Sequence, residues 1–507
     1  MGTPIRLKAL LRQRHWQVYR TFQSEYDRTA AGIDPKLAGT WPSRAQFNRW
    51  LSGELKGLPY PDHCRILEAM FPDHSADQLF TPADQPVSVP AGGAVDQAAG
   101  VVDVDEETTP AAVGGINYRA READLDERVA ASHQDWLATR RRLGQHRAAL
   151  TKQVINLYPE EFLLADTGLL MPPQWRLAEP VDLATIDLTW TEAAPPPVTG
   201  QHQETRDLRP LVAPGQPYRR YSRAMRDLDR PRLFENRICY RLLDADWSGG
   251  GRLTLGNMCY FDMIDLGETL AHELAQAATT PDGNLDPKRI TWDALPFRRM
   301  VRDPFDLAAY PLMLSISTLT VRRSRAGTTF QLLRRSPAKV AIAGGMLSVM
   351  PTGVFQPASV IPAPQSPDFN LWRNMMREYS EEFLGNPEHD GDGPPIDYAT
   401  TEPFRTMDAA RQAGRIRVYC LGIGLDALNY VGDVLTVAIF DDDIFDHLFE
   451  KMVQDNDEGA IITTDHQRRA FTFDKATINR LLTTEAIAPS GAACLHLAWR
   501  HNATILV

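Results

Sequence analysis

The stretch DQPVSVPAGGAVDQAAGVVDVDEETTPAAVGGI, residues 84–116, does most to limit how this chain can fold. It is rich in Pro, Gly, Ala and acidic residues, has neither helical nor strand periodicity, and offers too little apolar surface to bury a core. It reads as a flexible linker, so a head over residues 1–83 must fold apart from a body that begins near residue 117. The body opens on a charged helical pattern, YRAREADLDERVAASHQDWLATRRRLGQHRAALTKQVINLY. A second Pro/Gly-rich break near residues 192–217 makes 117–230 a helical and irregular connecting region ahead of residues 231–507. With 507 residues, 43% apolar and 23% charged, there is material for two or three cores. No apolar run approaches the roughly 18–20 residues of a bilayer span, and MGTPIRLKALLRQRHW lacks the apolar segment of a secretion signal, so a cytoplasmic chain with no membrane contact is expected. Cys64, Cys239, Cys259, Cys420 and Cys494 are scattered, with no C-x-x-C pair. They read as small apolar residues rather than a disulfide framework.

Charge divides along the same line. Residues 1–80 hold 11 Lys+Arg against 8 Asp+Glu, a balance of +3, and the whole chain carries −11, so the remainder carries −14. Arg6, Lys8, Arg12, Arg14 and Arg20 fall in the first twenty residues with no acid among them. Any nucleic-acid contact therefore belongs to the head. In PSRAQFNRWLSGELKGLPYPDHCRILEAMF, Ser43 suits an N-cap, Phe47, Trp50 and Leu51 share an apolar face, and Gly53 closes the helix. Arg44, Ala45, Asn48 and Arg49, with Gln46 beside them, form the polar face, and such groups reach base edges and phosphates from a helix in the major groove. The next helix offers Cys64, Leu67, Met70 and Phe71 for packing. These residues resemble the Cro and lambda-repressor-like helix-turn-helix domains over about residues 5–80. In place of the usual short positioning helix stands DRTAAGIDPKLAGTWP, which reads as longer and irregular. The resemblance implies double-stranded DNA as partner, read by Arg44, Gln46, Asn48 and Arg49. One small head gives limited affinity, so a homodimer presenting two heads to paired half-sites is expected.

In the body, ENRICYRLL and GRLTLGNMCYF read as strands, DLGETLAHELAQAA as a helix, and LMLSISTLTV with TFQLLRR as a hairpin across RRSRAG. AIAGGMLSVMPTGVF follows, then a helix carrying RNMMREYSEEFLG, then the strands RIRVYCLGIGL and VLTVAIF. Ser366 and Pro367 read as the start of that helix and Gly385 as its stop. Asn374, Glu378, Glu381 and Glu382 then share a face, and a hard cation such as Mg²⁺ is one way to hold three repelling carboxylates together. Arg377 is placed to pair with one of them.

R-E-Y-S-E-E resembles the second half of the Nudix box, G-x5-E-x7-R-E-U-x-E-E-x-G-U with U apolar, and the surrounding strands resemble that fold over about residues 310–500. The resemblance implies Mg²⁺ bound by Glu378, Glu381 and Glu382, with Glu378, Glu382 and Arg377 in the catalytic set and a nucleotide-derived diphosphate as substrate. The first half departs from the pattern. Ala363 occupies the glycine position, Phe369 the first glutamate position and Leu384 the trailing glycine position, while Gly353 fits as box glycine only with a loop about ten residues longer. The expected fold is α+β: a small all-α helix-turn-helix head, a linker, and an α/β/α Nudix-like body with a mixed sheet. The expected activity is a DNA-binding regulator that senses or processes a nucleotide-derived ligand, the alternative being a Mg²⁺-dependent hydrolase of nucleoside diphosphate derivatives.

Weaker signals read mainly as structure. LAHEL lacks the second histidine of a zinc-protease motif, since Gln276 stands there, and GIGLDA precedes a strand rather than a phosphate-facing helix. Asp441, Asp442, Asp443 and Asp446 suit a helix N-terminus. Arg334 and Arg335, at a strand end, are candidates to meet a ligand phosphate.

Overall fold

A computed structural model describes residues 5–14, 16, 19–33, 37, 40–42, 47, 50–51, 59, 61–72, 74–81, 118–231, 234–336, 344–359, 366–389, 395–453, 459–462 and 470–506. The chain divides into two compact units, Met1–Ile116 and Asn117–Val507.

The first unit is all-α where described, with helices Arg6–Gln13, Tyr19–Ile33, Pro61–Met70 and Ala76–Leu79. Phe22, Tyr26 and Ala30 recur every four residues along the second helix, and all three are fully buried. They meet Phe47 and Trp50, which are helical and buried as their spacing predicts, together with Leu67, Met70 and Phe71. Ser75 and Gln78 close a reciprocal capping box on the last helix. Two expectations change. Asp27–Ile33 continues the second helix, so the stretch read as irregular is helical in its first half. Arg6 and Arg14 are part of the head's own packing: Arg6 donates to Gln78 O and Thr81 Oγ1, and Arg14 donates to Met70 O and lies over Phe71.

The second unit is built on an eight-stranded mixed sheet: β1 Leu169–Leu170, β2 Arg176–Asp182, β3 Leu314–Ser324, β4 Gly327–Phe330, β5 Thr352–Val354, β6 Ile416–Asp426, β7 Gly432–Asp441 and β8 Phe471–Thr472. The order is β1-β6-β7-β3-β4-β8, with β2 also on β6 and β5 also on β3. Among the described residues of this sheet only β7 and β3 pair in parallel; β6 and β7 form an antiparallel hairpin. Both parallel strands are buried nearly end to end, which accounts for their unbroken apolar runs. Tyr379 hydrogen-bonds Thr320 from one side, and Ser490, at the start of helix Pro489–Arg500, hydrogen-bonds Ser317. Positions 317 and 320 project to opposite faces of β3, so helices cover both faces.

The connecting region belongs to this unit, since β1 and β2 both pair with β6. Helix Tyr118–Val154 lays Trp136, Leu143, Leu150 and Val154 into the body. The expected hairpin of residues 312–335 is real for β3 and β4. Its last part, Leu332–Arg335, leaves the main sheet to pair with Leu347–Ser348 and Gly459–Ile462.

Candidate functional site

The first halves of β3 and β7 meet the short strand β5 in one row of the sheet, where Val354 lies opposite Ser315 and Ser315 opposite Asp433. All three residues line a cavity of ≈ 260 Å³. Arg377, Glu378 and Glu381 form one wall of it, Arg335 and His389 join them, and Phe234, Tyr260, Met263 and Met313 supply an apolar side.

The helix carrying the glutamates begins later than its start signals suggested. Asn370 is the N-cap, its side chain accepting from the Arg373 N–H, and the helix runs Leu371–Glu378 before a π-turn at Tyr379–Phe383. Gly385 follows with φ 67°, a left-handed conformation that suits glycine, so the predicted stop holds. The π-turn adds a residue to the turn and re-aims the side chains beyond Glu378. Glu381 accepts from the His389 N–H at 2.9 Å and faces His389 Nδ1 at 3.1 Å. Glu382 is buried and accepts from the Thr352 N–H at 2.6 Å; it is absent from the cavity lining. Glu378 lies against Gly353 so closely that a Cβ there would sit 2.0 Å from its carboxylate. The glycine ten positions before the box position is thus the one that meets the glutamates. The shared face expected for Asn374, Glu378, Glu381 and Glu382 is therefore broken up. Among the described residues, no three His, Cys, Asp or Glu side chains are arranged to hold a metal ion.

Arg377 does not pair with a glutamate. Its Nη2 donates to Gln356 O and Asn374 Oδ1, both at 2.6 Å, although the side chain is only 2% exposed. Phe369, at the position of the box's first glutamate, packs with Tyr240 and Phe355 instead. The two candidate phosphate contacts separate. Arg335 lines the cavity, whereas Arg334 donates to Gly345 O and Glu485 and is not among the lining residues. Arg44, Gln46, Asn48 and Arg49, and also Ala363, lie outside the described residues.

The sequence reading missed the polar floor made by the β6–β7 hairpin: Asp426, Asn429 and Asp433. Burial pushes the Asp433 carboxyl up to about 7 despite a hydrogen bond from Ser317 at 2.8 Å, and burial also raises Asp426. The available signal was three polar residues within an otherwise apolar strand-turn-strand, the same stretch that holds the G-x-G-like GIGLDA.

The remaining motifs are structural. His272 is buried beside Tyr221 OH at 3.0 Å and is held neutral, its pKa lowered to about 3 by burial and then by Arg140. Glu273 accepts from the N–H groups of Phe297 and Arg298, at the start of helix Pro296–Val301. Asp442 and Asp443 open helix Asp442–Phe449. Asp441 pairs with Arg323, Asp442 and Asp446 with Arg322, and Asp443 with Arg415.

Neither the protein-family models nor the curated proteins searched give a match to this chain.

Proposed function

We propose that the chain is a DNA-binding transcription regulator whose body takes a nucleotide-derived small molecule into this cavity and senses it without cleaving it. The observation that carries the sensing half is the separation of the glutamates. Glu378 and Glu381 wall the cavity, while Glu382 is withdrawn onto the Thr352 N–H. A magnesium ion serving hydrolysis draws on several carboxylate oxygens converging on one point. Here Glu381 turns to His389 and Glu382 to the Thr352 N–H, while Glu378 lies against Gly353, and among the described residues no three such side chains are arranged for that ion, so no catalytic step is built on it. The cavity is slightly smaller than the ~300–1,000 Å³ typical of small-molecule sites, so it suits one ring or sugar of a ligand rather than both halves of a dinucleotide. For the head, the support is its helical core. Phe47 and Trp50 are buried, as they must be if the polar residues interleaved with them face duplex DNA.

The second reading, a Mg²⁺-dependent hydrolase, is favoured by Glu378 and Glu381 lining one cavity a helical turn apart. Calorimetric titration of the full-length protein with a panel of dinucleotides and nucleotide sugars, with and without Mg²⁺, separates the two. Sensing predicts saturable binding with the nucleotide recovered intact. Magnesium-dependent cleavage lost in Glu378→Gln would establish the hydrolase, and no binding at all would sink both.

A further inference from the structure

We infer that the floor of the cavity is a subsite for the vicinal hydroxyls of a sugar ring, such as the ribose of a nucleotide-derived ligand, held by Asp426, Asn429 and Asp433. The inference rests on the reading that the cavity takes such a ligand. It goes further by naming the part of the ligand that meets the β6–β7 hairpin.

The three residues belong to one hairpin. Asp426 ends β6, Asp433 lies near the start of β7, and Asn429 sits in the turn between them. They are 9%, 6% and 0% exposed, and all three line the cavity. Asn429 accepts from the Val431 N–H through Oδ1, and its Nδ2 donor has no acceptor among the described residues. Asp426 accepts from the Leu428 N–H and Asp433 from the Ser317 hydroxyl, each through Oδ1 at 2.8 Å. The second oxygen of each carboxylate takes no hydrogen bond among the described residues. The floor thus offers an amide donor without an acceptor among the described residues, an Asp426 oxygen that takes no hydrogen bond, and an Asp433 carboxyl that accepts when ionised and donates when protonated, and leaving such groups unmet when buried is costly.

That mixture selects the chemistry of the occupant. A phosphate only accepts and would meet the Asp426 carboxylate, and Asp433 as well wherever that acid is ionised. An ammonium only donates and would leave the Asn429 amide unmet. A hydroxyl both donates and accepts, and two adjacent hydroxyls answer both needs at once. The Ser315 hydroxyl lines the same cavity and can rotate to either role. Lining carboxylates outnumber arginines: Glu235, Glu378, Glu381, Glu388, Asp426 and Asp433 against Arg237, Arg335 and Arg377. This balance favours an uncharged part of the ligand over its phosphates here.

The test is isothermal titration of the full-length protein with the four ribonucleosides and their 2′,3′-dideoxy counterparts. At least one ribonucleoside should bind, its dideoxy form should bind at least tenfold more weakly, and Asp433→Asn should shrink that ratio. Equal affinity for the two forms in the wild type would overturn the sugar floor while leaving nucleotide sensing standing. So would binding confined to phosphate-bearing nucleotides. Binding of neither nucleosides nor nucleotides would remove the inference and the reading beneath it together.

Discussion

Glu382 and Gly353 show how far a single residue's role departs from its motif position. Removing the Glu382 carboxylate leaves the Thr352 N–H without its buried acceptor, so Glu382→Ala should cost about 1–3 kcal/mol of stability by thermal or chemical unfolding. Glu382→Gln keeps an acceptor oxygen and should cost clearly less. Gly353→Ala places a methyl on the Glu378 carboxylate, so ligand affinity should fall more than the melting temperature does. Equal losses in both would mean that Gly353 is only a packing position. Asp433 adds a pH signature. Its folded-state pKa is raised from 3.8 to about 7, so the folded chain keeps a proton that the unfolded chain has released. The resulting stabilisation is full below about pH 4 and is lost as pH rises through about 7, on the order of 4 kcal/mol in all. His272 works in the opposite sense, losing stability as pH falls from 6.5 through about 3. Comparing Asp433→Asn with the wild type at each pH isolates the first effect: the variant's melting temperature should decline less between about pH 5 and pH 8. An unchanged slope would contradict it. At this scale the identity of the wall residues was legible, because R-E-Y-S-E-E gathers them in sequence. Their partners were not, since Thr352, Gly353 and His389 come from other segments.

Among the elements, the π-turn at Tyr379–Phe383 separates what an ordinary helix would have kept together. Periodicity of 3.6 residues placed Glu378, Glu381 and Glu382 on one face; with the wider turn Glu378 and Glu382 both meet β5, at Gly353 and Thr352, while Glu381 turns to His389. Strand positions were read well because buried parallel strands need continuous apolar runs. The exchange of Leu332–Arg335 into a second sheet left no such trace, and the polar floor between β6 and β7 left only three polar residues in an apolar stretch. Helix Tyr118–Val154 hides a similar lesson. Arg140 and Arg147 fall on its inward stripe with Trp136, Leu143 and Leu150, and both reach Glu268, at 3.5 and 2.9 Å. The sequence marked them only as part of a charged helical pattern, and they are the partners of a carboxylate that is 1% exposed. Breaking a buried pair costs about 3–5 kcal/mol, and the remaining Arg140 contact should hold Arg147→Ala near the lower end. Calorimetry of that variant should show a large fall in melting temperature, and a change within error would mean that Glu268 is compensated elsewhere.

Over the whole molecule, the chain divides into Met1–Ile116 and Asn117–Val507, and the stretch 84–116 read as a linker from composition lies outside the described residues. The polar face of the head rests on sequence, and an isolated fragment of residues 1–83 should bind duplex DNA with strong salt dependence, weakened by Arg44→Ala and Arg49→Ala. Unaltered binding by the double variant would remove those residues from the interface. A sensor couples its two sites through a difference in free energy, ordinarily 1–3 kcal/mol, or about 5–150-fold in affinity. The central claim is that the cavity of the body binds a nucleotide-derived molecule and leaves it whole. The most direct measurement is equilibrium binding of such a molecule to the full-length protein in Mg²⁺, with its integrity followed by chromatography, in the wild type and in Arg377→Met. A sensing cavity gives saturable binding in the wild type, weaker binding in the variant, and intact nucleotide in both. Magnesium-dependent cleavage by the wild type, or no binding at all, would contradict it.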